Sequence, residues 1–477
     1  MDFERKAYEY ADSIIRDLTD LISIKSVKDP KTSGAGKPMG EEIGRALTDI
    51  LGKCRRDGFR IANLDGYAGY AEYGPEDAED YIAVLCHLDV VPAEGEWSYP
   101  PYRLIVEDGK LIGRGVLDDK GPAVAALYAL NILKDCKPEL KHRIRLIFGT
   151  DEESGCECIS RYKSVEKMPL CGFSPDADFP IVNAEKGQIN TRIVLTARDR
   201  KIDGGLYRLE EFRAGGIANM VAEKAEAVIS GELENLVRLE KAFTDYCKKN
   251  NIVYAVIVEE GSGRIILKAA GRTAHGMEPE KGVHAGLELA HFLAGVPFEG
   301  SNAEDFISCL DHFLYNDYTG KNFGVEAYDA GMGPLTINSG IQQYSAAGEK
   351  YFHINLRFPS CCKYEDIIEG ICGKISDRGF TADRGGMTVK LPHLVPESHP
   401  MIGILKNAYR SITGNAPELI STGGGTYAAH MGNSVAFGPL FPGREETAHR
   451  ADEYIYLDDL IKAAAIYARA MYDLGSI

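Results

Sequence analysis

Near the N-terminus, apolar positions fall at helical spacing. Ala11, Ile14, Ile15, Leu18, Leu21 and Ile22 recur at i, i+3, i+4 and i+7 with Asp, Arg and Ser between them, which predicts an amphipathic helix covering a sheet. Further along, Tyr81–Cys86 is an uninterrupted apolar run of strand length, and Ile144–Phe148 is a second apolar strand. Continuous rather than alternating hydrophobicity is what a parallel strand buried on both faces shows. Between them Ala123–Leu133 is an Ala- and Leu-rich helix that Pro122 is placed to open. From Tyr81 to Asp176 strands alternate with helices, the pattern of a doubly wound α/β layer.

After Gly187 the texture changes. Ile189–Leu195, Ile252–Val258, Arg264–Ala269 and Tyr351–Arg357 read as strands, many with alternation, and helices are predicted over Ile217–Ile229, Val283–Leu293 and Tyr364–Ile375. Alternation means a sheet with one wet face, hence an α+β unit. Near Leu391 the first texture resumes, with a helix over Met401–Ile412, a short strand over Ser434–Phe437 and a long helix over Leu457–Leu474. The predicted architecture is a discontinuous α/β domain, 1–187 and 388–477, with an inserted α+β domain, 188–387.

Composition narrows the function. A chain of 477 residues is long for one core, and its 54 Lys plus Arg against 71 Asp plus Glu give a formal net charge of −17. Such a surface repels phosphate backbones and anionic membranes, which argues against nucleic-acid or lipid partners. Eleven cysteines, many in apolar stretches, suit free thiols in a reducing compartment. The start carries no basic segment followed by an apolar one, and no run approaches membrane-spanning length; a cytoplasmic location is expected.

The chemistry-bearing residues cluster at strand ends. His87 and Asp89 follow the Tyr81–Cys86 run directly, and strand ends of open α/β sheets are where ligands collect. Asp89, two residues on, is expected to accept the second N–H of the His87 imidazole, as carboxylates beside metal-bound histidines do. Asp118 and Asp119 stand between glycines and a helix entrance; taken alone they serve as a helix cap as well as a metal bridge. Glu152 and Glu153 follow the Ile144–Phe148 strand, where one can ligate a metal and its neighbour take a proton from water. With Asp176 and His449, the set offers two histidines and three carboxylates, which suits two divalent cations sharing one carboxylate.

These segments resemble a known family. His87-Leu-Asp89, Gly-Arg-Gly-x-x-Asp118-Asp-Lys-Gly, Asp151-Glu-Glu153-Ser-Gly155, Asp176 and the late His449 are similar to the two-metal aminoacylase/carboxypeptidase family of metallopeptidases, and to its PepV-like dipeptidase branch in particular. The resemblance implies one cation held by His87 and Asp176, a second by Glu153 and His449, Asp118 bridging them before a cis peptide bond, and Glu152 as general base. It implies zinc first, with manganese or cobalt as alternatives that a mixed His and carboxylate site also accepts.

In the inserted domain, which the resemblance makes a lid, Gly271-Arg-Thr-Ala-His275-Gly by itself reads as a surface histidine in a Gly-bounded turn. The resemblance gives His275 a sharper role, donation to the oxyanion of the tetrahedral intermediate. It implies that Asn219 fixes the substrate and that Arg357 grips the substrate's terminal carboxylate. Gly424, in Gly423-Gly-Gly-Thr426, either offers a backbone N–H to the same carboxylate or merely forms a tight turn. The implied activity is hydrolysis of short peptides bearing a free C-terminal carboxylate by metal-bound hydroxide. An N-acyl amino acid or succinyl-diamino acid deacylase of the same fold is the alternative. A non-catalytic binding protein and a zinc-scaffolded structural protein are the readings outside catalysis. The enlarged lid is compatible with a monomer, and a homodimer stays open.

Overall fold

The computed structural model describes residues 1–259 and 261–477, which fall into two compact units, Met1–Glu185 with Leu394–Ile477, and Lys186–His393. The junctions lie at 185/186 and 393/394, against the 187/188 and 387/388 expected from texture.

In the first unit a mixed sheet runs in the order Arg60–Leu64, Ala68–Tyr73, Arg143–Gly149, Tyr81–His87, Cys171–Ser174, Ser434–Ala436 and Ile181–Glu185. Its centre is parallel: Tyr81–His87 lies between Arg143–Gly149 and Cys171–Ser174, with His87 opposite Gly149 and Val84 opposite Phe173. All seven residues of Tyr81–His87 are buried, as the unbroken apolar run requires. Three neighbouring strands therefore end on one side of the sheet, and the chain leaves them as His87-Leu-Asp89, Thr150-Asp-Glu-Glu153 and Pro175-Asp176. The helix Lys120–Cys136 is buried from Lys120 to Leu133, and with Leu457–Gly475 it contributes to the core of this unit. A smaller sheet pairs Tyr454–Tyr456 with Lys110–Ile112, and the latter with Ile105–Glu107.

The second unit is an antiparallel sheet in the order Val253–Glu259, Arg264–Ala270, Lys224–Gly231, Tyr207–Gly215, Ile341–Ser345, Lys350–Phe358, Gly187–Leu195 and Phe380–Ala382. Strands such as Gly187–Leu195 bury alternate residues, and helices including Ala285–Leu293 and Tyr364–Ile375 share their core. One element differs from the sequence pattern. Ile217–Ile229, expected as a helix, is a loop followed by the strand Lys224–Gly231, because Ala225, Ala227 and Ile229 repeat at period two and pair with Ala214–Leu209 on one side and Ala269–Ile265 on the other. Long-range pairing overrides the local period there. The helices Leu233–Lys249 and Ser301–Leu314 are not among those the pattern predicts. Among the described residues, no helix is long and apolar enough to cross a membrane.

Candidate metal centre

The five ligands expected from sequence converge in the first unit. His87 Nε2 lies 2.8 Å from Asp118 Oδ1 and 3.8 Å from Asp176 Oδ2. His449 Nε2 lies 2.9 Å from Asp118 Oδ2 and 3.1 Å from Glu153. Asp118 thus turns one oxygen to each imidazole, and the peptide bond that follows it is cis. One ligand atom each from His87, Asp118 and Glu153 falls within a span of 4.8 Å, and so does one each from His87, Glu152 and Asp176. The second group includes Glu152, so proximity alone does not separate base from ligand.

The hydrogen bonding around His87 tests whether cations fit. Its Nδ1 meets the Asp89 backbone carbonyl at 2.9 Å, so the neutral ring donates there and turns its Nε2 lone pair toward the Asp118 carboxylate. A lone pair facing a carboxylate is repulsive until a proton or a metal cation stands between them. The remaining acids point the same way. Burial and then the Asp118 charge push Asp176 up to about 6, and burial and then the same charge push Glu153 up to about 7. Burial first and then Asp176 raise Glu152 well above the carboxylate range. Against burial, hydrogen bonds from His449 and His87 hold Asp118 below it. Negative charge is gathered here beyond what the two imidazoles offset, and the oxygen and imidazole donors suit divalent ions such as zinc or manganese.

Asp89 corrects one expectation. Its carboxylate stands 3.5 Å from His87 Nδ1, farther than its own backbone carbonyl. Its two oxygens instead accept the backbone N–H groups of Glu152 at 3.1 Å and Glu153 at 3.0 Å. Both act on the centre, but the carboxylate holds the glutamate loop and the carbonyl orients the imidazole. The same loop is tied again through Asp151, which accepts from Lys28 Nζ at 2.8 Å and from Glu157 N–H at 3.0 Å.

Of the lid residues expected from sequence, Asn219 and His275 come together within the second unit, and Arg357 lies on the strand that carries Asn355. Met220 bridges His275, Gly276 N–H donates to the Asn219 carbonyl at 2.7 Å, and a Cβ on Gly276 would stand 2.9 Å from both that carbonyl and Asn355 Oδ1. Only glycine admits this approach. Met277 N–H donates to His275 Nδ1 at 3.2 Å, which leaves the ring proton on Nε2. Asn355 and Arg357 lie two residues apart on Lys350–Phe358, and burial lowers the Arg357 guanidinium to about 10, still charged at neutral pH. Asn338, opposite Asn355, donates to the Met220 carbonyl at 3.0 Å and steadies the loop that carries Asn219. Sequence reading missed Asn338 and Asn355; asparagine inside a strand is the only local signal either offers. In the first unit, Gly424 N–H donates to Thr422 Oγ1 at 3.0 Å, and Thr426 is held by Glu185. The tight-turn reading of this segment is the one its hydrogen bonds favour.

With this geometry in view, the comparisons with known proteins are direct. Residues 83–473 match the description Peptidase family M20/M25/M40. The chain belongs to that family. Its sequence is 37% identical over 475 residues to "Putative dipeptidase YtjP" of Bacillus subtilis, covering 100% of both chains. It is 38% identical over 472 residues to a "Putative dipeptidase" of Staphylococcus epidermidis, covering 99% of both. Among solved structures, human carnosine dipeptidase 1 aligns over 99% of this chain and 98% of its own with a TM-score of 0.57 and 16% identity. The di-peptidase Dug1p of Saccharomyces cerevisiae aligns over the same shares with a TM-score of 0.57 and 14% identity. At such identities the structures establish the fold, an α/β domain with an α+β lid. The family makes the chain an enzyme, a metallopeptidase.

Proposed function

We propose that this metallopeptidase is a dipeptidase acting with two divalent cations, zinc in the first place, in a reducing cytoplasm. The observation that carries the reading is Asp118, whose two oxygens face His87 and His449 separately, as a carboxylate shared by two ions must. His87 and Asp176 would hold one ion and Glu153 and His449 the other. When bound, the ions supply Lewis acidity, polarising the scissile carbonyl and making water acidic enough to attack near neutral pH.

The protein's own groups do the rest. Glu152, half-buried beside the centre, takes the proton from the attacking water and passes it to the leaving amine nitrogen. His275, protonated on Nε2, donates to the oxygen that gains charge as the carbonyl becomes tetrahedral, a contribution of about 2.7 to 4 kcal/mol when such a donor is preorganised. Asn219 fixes the substrate beside it. Arg357 grips the free C-terminal carboxylate through paired N–H groups, and its burial strengthens that contact by removing competing water. The turn at Gly424 contributes shape more than a donor. Recognition of the carboxylate one residue beyond the scissile bond limits the leaving side to a single residue, hence preference for dipeptides. The names borne by the relatives support the same substrate class, and the enlarged lid is consistent with a monomer.

The test is a panel of dipeptides, tripeptides, amidated dipeptides and N-acyl amino acids assayed on metal-loaded protein. Dipeptides should be cleaved well, tripeptides poorly and proteins not at all. Efficient hydrolysis of N-acyl amino acids without action on free dipeptides would replace this reading with the deacylase one.

A further inference from the structure

One buried carboxylate outside the ligand set ties together the two loops that carry Asp118 and His449. Glu453 is fully buried. Its Oε1 accepts three backbone N–H groups, Gly115 at 3.0 Å, Leu117 at 2.9 Å and Asp118 itself at 3.2 Å. Its Oε2 receives Arg114 Nη1 at 2.5 Å, and its backbone carbonyl accepts from Gly113 N–H at 3.0 Å. Arg114 is as buried as its partner, with its guanidinium over the Trp97 ring at 5.2 Å. Five contacts from one residue thus fix the whole Gly113–Asp118 segment.

The other side of Glu453 is the loop of His449. Thr447 Oγ1 donates to the Tyr454 carbonyl at 2.9 Å and accepts Tyr454 N–H at 3.1 Å, closing the loop at its base. Beyond it Tyr454–Tyr456 pairs with Lys110–Ile112, Tyr454 opposite Ile112, so Glu453 and Gly113 are the next positions of the same ladder. Within the loop His449 holds a positive φ of 64° and Asp452 one of 54°, a backbone region uncommon outside glycine in which Asp and His are the more frequent exceptions. Asp452 is pinned by Ser98 N–H at 2.9 Å.

We infer that Glu453 is the positioning residue that sets the separation between Asp118 and His449, and so decides whether the second cation, the one held by Glu153 and His449, is bound. The inference rests on the two-cation reading above. The first cation is less exposed to the change, because His87 ends a strand of the central sheet and Asp176 follows the neighbouring strand Cys171–Ser174 by two residues. The chemistry calls for a carboxylate. Glutamine at this place has one oxygen and one NH₂, so either the NH₂ faces Arg114 or it faces the three backbone N–H groups, donor against donor in both orientations.

The experiment is titration of metal-stripped protein with zinc, followed by competition with a chromophoric chelator, together with thermal melting of the stripped forms. Wild-type protein should bind two ions. Glu453→Gln should keep one ion near wild-type affinity and bind the second about 10- to 100-fold more weakly, in line with losses of ligand-orienting partners. Excess zinc should then restore most of kcat, which lost folding would not allow. Glu453→Asp, charged but too short to reach all its partners, should show the same selective loss, and Arg114→Lys a smaller one, since the three Oε1 contacts survive. Equal affinity for both ions in Glu453→Gln and Glu453→Asp would overturn the inference. So would parallel weakening of both ions in step with a fall in melting temperature. A wild-type stoichiometry of one would be a different failure, removing the two-cation reading itself and this inference with it.

Discussion

Asp89→Asn isolates how the glutamate loop is held. The native carboxylate accepts two backbone N–H groups, at 3.1 and 3.0 Å, and is buried. Hydrogen bonds to a charged acceptor contribute about 1.5 to 3 kcal/mol each, and a buried donor left without an acceptor costs about 1 to 3 kcal/mol. Asparagine keeps one oxygen for one N–H and turns its own NH₂ toward the other, so one bond weakens and one is lost. A total of about 2 to 4 kcal/mol follows, borne by the turn that carries Glu152 and Glu153. The part that displaces those two side chains should appear as a 10- to 100-fold fall in kcat, equivalent to about 1.4 to 2.7 kcal/mol in the barrier. His87 keeps its bond to the Asp89 carbonyl, which the substitution leaves in place, so the ion at His87 and Asp176 should remain. The assay is steady-state turnover of a dipeptide at saturating cation, with metal stoichiometry and urea unfolding on the same samples. Unchanged kcat would refute the reasoning. Selective loss of the His87 ion would also refute it, and would reinstate the carboxylate as the imidazole's partner.

Other expectations are as direct. Glu152→Gln should retain both ions and substrate binding while kcat falls by roughly 100- to 10,000-fold; loss of an ion in the metal analysis would make Glu152 a ligand instead. Arg357→Ala should raise KM for free dipeptides and leave an amidated dipeptide, already poor, nearly unchanged, so equal damage to both would remove the carboxylate clamp. In the lid, His284 accepts Leu287 N–H at 3.1 Å and meets the Ser339 carbonyl at 2.9 Å, and burial lowers it to about 4 from 6.5. The unfolded chain therefore binds the extra proton between those values. Stability from the neutral ring is complete above pH 6.5 and is lost as pH falls toward 4, by roughly 3 kcal/mol. Urea midpoints of wild type should drop across that window and those of His284→Asn should drop less; parallel curves would show that other groups govern acid sensitivity.

The sequence by itself determined a good deal. Unbroken apolar runs of strand length such as Tyr81–Cys86 mark strands buried on both faces, and their polar ends put His87, Asp89, Glu152 and Glu153 at one edge of a parallel sheet before any contact is known. The change from continuous to alternating hydrophobicity near Gly187 separates the lid from the catalytic domain, because burial on two faces and on one face demand different periods. The tertiary structure decided the rest. Ile217–Ile229 contains a loop and a strand because its neighbours, Tyr207–Gly215 and Arg264–Ala270, supply pairing that no local window contains. Asp89 turned out to grip the backbone of Glu152 and Glu153, 63 and 64 residues away. Glu453, unremarkable beside Asp452 in the sequence, became the anchor of Asp118 across 335 residues. A carboxylate's partners are set by the register and ends of strands remote in the chain, whereas its burial is written in its nearest neighbours. For that reason the candidate ligands could be picked out in the sequence and the groups that hold them in place could not.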